Sequence, residues 1–231
     1  MPVLELLTSS GLGSLLGMRH ALEPDHVAAV STLVTEARGR ARAAWLGVCW
    51  GIGHTMTLLV AGATLVWLRV EMPAALSNLF ECGVALMLVG LGARAVYIAS
   101  RQGPAGPVRR HQHGRVTHAH AGAARHVHIG RWTLARRPLL VGAVHGFAGS
   151  GALTALVAAA LPSTAARLTY MALFGLGSTV GMAALSGVLG WPFGRLASHR
   201  GVARAVSLSV GCFSIALGLY WGYPIVWRVL G

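Results

Sequence analysis

The chemistry of this chain concentrates in one polar stretch, Arg19-His20-Ala21-Leu22-Glu23-Pro24-Asp25-His26, with apolar sequence on both sides. Five of these eight residues ionise, and each charged Asp or Arg at membrane depth costs about 2.5–3.5 kcal/mol. Such groups persist there only against a partner, an ion or water. Pro24 adds geometry, because without an N–H it withdraws the helical donor from the carbonyl of His20, four residues back. The stretch therefore predicts a broken helix. On a continuous helix His20, Asp25 and His26 would spread around the axis at about 100° per residue, and local unwinding lets them meet. Two imidazoles and a carboxylate suit borderline divalent ions such as Ni²⁺, Co²⁺, Cu²⁺ or Zn²⁺. Mg²⁺ or Ca²⁺ would want an oxygen cage, which the six acidic residues of the chain do not supply. The competing reading is a structural network, with Arg19 paired to Glu23 or Asp25 and the histidines capping helix ends.

The elements that must position this stretch are membrane spans. The chain has 231 residues, 55% hydrophobic and 11% charged, under half the roughly one-quarter charged fraction of soluble domains. Uncharged runs cover 43–68, 138–166, 168–194 and 205–227, each long enough for the ~20 residues of a spanning helix. This composition excludes a soluble globule, a secreted disulfide domain and a disordered chain. Cys49, Cys82 and Cys212 form no CxxC pair and read as packing residues. Met1 to Met18 carries no positive charge, so the start does not read as a secretory signal.

Six spans are expected, at about 6–34, 44–68, 76–99, 138–161, 168–190 and 205–228. All 19 basic residues are Arg. Fourteen fall in the 36–43, 100–137 and 191–204 connections, against only Arg69, Arg167 and Arg228 on the other side. Because Lys/Arg excess marks the cytoplasmic side, both termini are expected outside and the 100–137 loop in the cytoplasm of a plasma-membrane, multi-pass protein. The net charge of +13 is then a matter of topology and does not call for nucleic acid.

An internal repeat relates the spans. Leu16-Gly17-Met18-Arg19-His20 lines up with Val141-Gly142-Ala143-Val144-His145, and Cys49-Trp50-Gly51-Ile52-Gly53-His54-Thr55 with Leu173-Phe174-Gly175-Leu176-Gly177-Ser178-Thr179. Gly83-x6-Gly90-Leu91 likewise matches Gly211-x6-Gly218-Leu219. Three spans per half is an odd number, so the halves run in opposite senses, an arrangement typical of secondary transporters. The predicted fold is an all-α integral membrane protein of two inverted three-helix repeats, the first helix broken at the polar stretch. Residues 1–99 form the first repeat, 100–137 a flexible His-rich loop, and 138–231 the second repeat.

His20-x4-Asp25-His26 resembles the H-x4-D-H signature of the NiCoT nickel–cobalt transporters, and the surrounding Leu16 to Val30 is closest to their short bacterial, UreH-like (urease accessory) branch. Gly51-Ile-Gly-His-Thr55 is similar to the second family motif, a Gly-His followed by a hydroxyl residue. The resemblance implies that His20, Asp25, His26 and His54 are metal ligands or gatekeepers. Longer members carry acidic motifs in their second halves, whereas this chain has no Asp or Glu after Glu81. Those roles do not carry over. His145, paired with His20 by the repeat, is the substitute, as an added ligand or relay. Glu81 reads as a coupling group or a partner for Arg19 or Arg94.

Six of the 11 histidines fall at His111, His113, His118, His120, His126 and His128. These H-x-H pairs favour weak, exchangeable metal capture, and imidazole accepts zinc, copper and nickel alike. Nothing resembles a Walker A motif. The function expected is secondary transport of Ni²⁺ and/or Co²⁺, in the uptake direction, with the metal as substrate, no resident cofactor and no enzymatic activity. Efflux would use the same ligands in reverse. Two other classes compete: a membrane accessory protein that delivers nickel to enzyme-maturation proteins without transporting it, and an intramembrane protease built on Ser150 in Gly149-Ser150-Gly151, which needs a histidine base.

Overall fold

The computed structural model describes residues 3–35, 37, 39–68, 70, 72–101, 109–113, 116–120, 126–129, 132–147, 161, 163–196 and 199–230. Among them are seven helices and four short strands. The helices are α1 (Val3–His20), α2 (Pro24–Val34), α3 (Arg40–Leu68), α4 (Ala74–Arg101), α5 (Arg136–Gly146), α6 (Thr164–Leu196) and α7 (Arg200–Leu230). Among the described residues, four stretches are long and apolar enough to cross a bilayer: Arg40–Leu65, Ala74–Arg101, Thr164–Arg195 and Gly201–Arg228. The protein is a multi-pass, helical membrane protein.

The long helices outrun the apolar stretches that predict them. The second begins at Arg40 rather than 44, the fifth runs from Thr164 to Leu196, and the last begins at Arg200. Arginines assigned to the turns thus lie on helices, because Arg is a strong helix former whose long stem carries its charge out to water. Aromatic rings sit under two of these guanidinium groups, Arg101 over Tyr97 at 4.7 Å and Arg195 over Trp191 at 4.3 Å. The turn between α2 and α3 uses Gly39 at φ +96°, a left-handed conformation that glycine adopts freely.

The predicted break is present. α1 stops at His20 and α2 starts at Pro24. Glu23 is extended (φ −63°, ψ 147°), as a residue before proline must be, and Pro24 occupies the first turn of α2, where its missing N–H loses nothing. The carbonyl of His20 is not left without a donor, however: it accepts the N–H of Glu23 at 3.0 Å.

α3 and α6 pack together at the centre, with α1 on α6 and α5 on α3; α4 and α7 form a second pair, and α2 bridges to both α6 and α7. The core gathers Val30, Val34, Trp50, Leu88 and Met182, and a smaller cluster gathers Leu58, Tyr170, Met171 and Phe174. The outer faces expose Val60, Leu86, Tyr220 and Trp227, large apolar groups that suit a lipid environment.

Two expectations change. Segment 100–137, read as a flexible loop, contains two antiparallel hairpins, β1 (Arg109–His113) with β2 (Val116–His120) and β3 (His126–Ile129) with β4 (Trp132–Ala135). Val116, Thr117, Val127, Ile129 and Thr133 supply strand preference that the Gly, Pro and Arg content concealed. The helix of the predicted fourth span starts at Arg136 and ends at Gly146; residues 148–160 of that span, Ser150 among them, lie outside the described residues.

Candidate metal centre

Four elements converge on one buried polar cluster. His20 closes α1, Asp25 and His26 stand in the first turn of α2, His54 lies midway along α3 and His145 near the end of α5. All five side chains are buried. Glycine permits the approach of α5: a Cβ on Gly142 would strike the carbonyl oxygen of Trp50, and one on Gly146 would lie 2.5 Å from that of His54. A pair of small residues four apart lets helix backbones meet in this way. It brings the rings of His145 and His54 to a centroid separation of 6.3 Å.

The break does the rest. The rings of His20 and His26 come within 4.2 Å, His26 and His145 within 4.1 Å, and His20 and His54 within 5.2 Å. Asp25 is held by two histidines: its Oδ1 accepts from His26 Nδ1 at 3.1 Å and its Oδ2 from His145 Nε2 at 2.6 Å. The main-chain N–H of His26 also donates to Oδ1, at 2.9 Å. Outside the cluster, Glu23 Oε2 accepts from His20 Nδ1 at 3.0 Å. An ionised carboxylate only accepts, so each histidine nitrogen facing one carries the proton and the other nitrogen of that ring carries the lone pair. Carboxylate–histidine pairs of this kind orient metal-binding imidazoles.

What remains is a set of unsatisfied ring nitrogens. Five of the eight ring nitrogens in His20, His26, His54 and His145 are buried with no hydrogen-bond partner: His20 Nε2, His26 Nε2, both nitrogens of His54, and His145 Nδ1. A buried polar atom without a partner costs about 1–3 kcal/mol, so a cluster of them calls for an occupant. Two three-residue groups, His20/His26/His54 and Asp25/His26/His145, each present ligand atoms within 4.8 Å of one another. Imidazole-dominated sets with one carboxylate match borderline divalent ions.

Asp25 is engaged by histidines and Glu23 by His20, while Arg19 is exposed; the arginine–acid network has no support at Asp25. Glu81 accepts a hydrogen bond from Ser77 at 3.4 Å on its own helix. The cysteines are free thiols. By backbone register, His111 stands opposite His118. His126 and His128 lie on β3, apart in sequence from the first hairpin.

Three contributors escape the sequence reading. Glu23, read only as a partner for Arg19, orients His20; its i,i+3 spacing was the available signal. Trp50 stacks on His26 at 5.3 Å, and its indole N–H is buried without a partner; it precedes His54 by one helical turn, which places it on the same face. Phe174 lies 5.3 Å from His20 with its ring tilted against the imidazole.

Comparison with known proteins agrees with this chemistry. Residues 6–222 match the NicO family, described as high-affinity nickel-transport protein. The chain is 32% identical over 225 residues to the urease accessory protein UreH of Bacillus sp. (strain TB-90), covering 97% of this chain and 95% of that protein. It is 29% identical over 188 residues to the chloroplast protein FOR GROWTH AND FERTILITY 2 of Arabidopsis thaliana, covering 80% of this chain and 48% of that protein. No solved structure matches. The resemblance read from His20-x4-Asp25-His26 is borne out.

Proposed function

The chain belongs to the NicO family of high-affinity nickel-transport proteins, and from that premise we propose that it is a secondary transporter that takes up Ni²⁺ and/or Co²⁺ through a site inside the bilayer. The observation that carries the proposal is the convergence of partnerless, buried imidazole nitrogens from four separate helices on one cluster. His20, His26 and His54 coordinate the ion, Asp25 fixes His26 and His145 and supplies a buried negative charge, and Glu23 fixes His20. The family is one of transporters and not of enzymes, so the protease reading built on Ser150 is set aside. A +2 ion moving inward gains about 4.6 kcal/mol per 100 mV of membrane potential, a sufficient drive for uptake in a chain without a Walker A motif.

The architecture that fits this role is six spans in two inverted halves, termini outside and 100–137 cytoplasmic. Its support is reciprocal packing. A Cβ on Gly17 would meet the carbonyl of Phe174 and the N of Ser178, as one on Gly142 would meet Trp50 and His54; Gly51 faces Thr179 as Gly175 faces Thr55. Gly53 faces Leu139 as Gly177 faces Ser14. Each pair exchanges under the repeat. In the third spans Gly92 and Gly211 face one another, while Gly83 and Gly90 have nothing near. Binding near the interface of two such halves suits alternating access by rocking. The six loop histidines capture ions on the cytoplasmic side.

The test is uptake of radiolabelled Ni²⁺ into proteoliposomes under an imposed potential, with Co²⁺, Zn²⁺ and Mn²⁺ as competitors. Potential-dependent Ni²⁺ accumulation that vanishes in His20→Ala/His26→Ala supports the reading; accumulation unchanged in that variant overturns it. A second reading, membrane delivery of nickel to maturation proteins without transport, draws on the name of the Bacillus relative. Vesicles that bind the ion and never accumulate it would favour it.

A further inference from the structure

We propose that the centre holds two successive ion positions that share His26, one on each side of its ring. The proposal rests on the cluster being the transported ion's site. His26 lies between two histidines at nearly equal range, 4.2 Å from His20 and 4.1 Å from His145 by ring centroids. Those two flanking histidines come from opposite halves of the chain and occupy matching places in the repeat. The ring of His26 uses its edges differently: Nδ1 faces Asp25 at 3.1 Å, while Nε2 is buried without a partner. Its two ring nitrogens point in diverging directions, so a single ion cannot use both. The groups His20/His26/His54 and Asp25/His26/His145 are therefore two neighbouring positions rather than one five-ligand site.

The positions differ in readiness. The first offers free nitrogens on all three rings. In the second, His145 Nε2 and Asp25 Oδ2 are 2.6 Å apart, closer than the roughly 3 Å between two ligands that each stand about 2.0–2.2 Å from one ion. An ion reaches the second position as that pair opens. The protons balance within the cluster: that on His145 moves from Nε2 to its partnerless Nδ1, and that on His26 moves from Nδ1 to the Nε2 released by the departing ion. Nothing is gained or lost to solvent. The ion thereby passes from an all-imidazole position made by the first half to one that includes a carboxylate and a ligand of the second half. His145 is a binding residue of the second position, and transport needs both.

Co²⁺ is a suitable probe, because its visible spectrum reports ligand type and number. Full-length protein in detergent micelles is titrated with Co²⁺ for the wild type, His20→Ala/His54→Ala, His145→Ala and His145→Gln. The double variant is expected to retain one Co²⁺, bound about ten- to hundredfold more weakly, with the altered spectrum of mixed nitrogen and oxygen ligands. Both His145 variants keep the wild-type spectrum, yet lose radiolabelled Ni²⁺ uptake in proteoliposomes by at least about tenfold. Loss of all Co²⁺ from a double variant that still elutes and melts like the wild type overturns the proposal. So does wild-type uptake by His145→Ala or His145→Gln, which decides the matter even if the double variant fails to fold. Failure of the transport reading looks different: the wild type itself then accumulates no Ni²⁺.

Discussion

The two ends of the α3–α6 contact are built alike and equipped differently. On one side α5 rides on α3 through Gly142, and on the other α1 rides on α6 through Gly17, each pressed against main-chain atoms. At the centre Thr55 and Thr179 bring their hydroxyls to 3.0 Å, both donating to the carbonyl of Gly175. The chemistry does not follow this symmetry. On α3 the residue facing Gly142 is His54, with both ring nitrogens partnerless; its counterpart on α6 is Ser178, a buried hydroxyl also without a partner. The scaffold is shared between the two sides, whereas the imidazole of His54 on α3 is matched on α6 only by the hydroxyl of Ser178. Backbone packing is thus set apart from ion binding, and substitutions should separate the two.

The largest effect is expected at the ligands: His20→Ala/His26→Ala should weaken Ni²⁺ binding by at least about a hundredfold, read by isothermal titration, with little change in melting. Next come Gly17→Ala and Gly142→Ala. Each added Cβ overlaps main chain, and each should cost about 1–3 kcal/mol in thermal unfolding, by similar amounts. A penalty at only one of them would break the likeness between the two sides. His54→Ser copies the α6 side onto α3 and should weaken Ni²⁺ binding about tenfold while leaving helix packing intact; an unchanged affinity would mean that the asymmetry carries no function. Thr55→Val and Thr179→Val should each cost about 1 kcal/mol, and the double variant less than their sum, because both hydroxyls use one carbonyl. The smallest effect is reserved for alanine at His111, His113, His118, His120, His126 and His128: slower uptake at limiting nickel and unchanged uptake at saturation.

Much of this organisation is legible in the sequence, for identifiable reasons. Apolar length predicts the four long helices, since lipid admits few alternatives. The break is legible because Pro24 and five ionisable groups cannot continue an ordinary span. His145 is legible only through its alignment with His20, as nothing in its own surroundings marks it. The helix ends are misjudged where Arg40, Arg42 and Arg195 stand, because charge says where water is and not where a helix stops. Glu23 and Trp50 are missed for another reason: each acts by orienting or covering a histidine, and such a role depends on distances that spacing alone does not carry. The contact of α4 with α7 is not legible because glycines recur at several spacings, and only contact distinguishes Gly92 and Gly211 from Gly83 and Gly90.

The three residues between His20 and Pro24 have a mechanical consequence. In an unbroken helix the distance between two ligands is a constant, indifferent to what sits between them. Here His20 rides on α1, which is seated on α6, and His26 rides on α2, which leans on both α6 and α7. The chain at 21–23 works as the joint of a pair of calipers. On the proposed mode of binding, an ion gripped by both jaws sets the angle between them, and an ion leaving one jaw releases it. Cargo size is thereby converted into helix angle, so ions of different radius should leave the two arms at measurably different spacings.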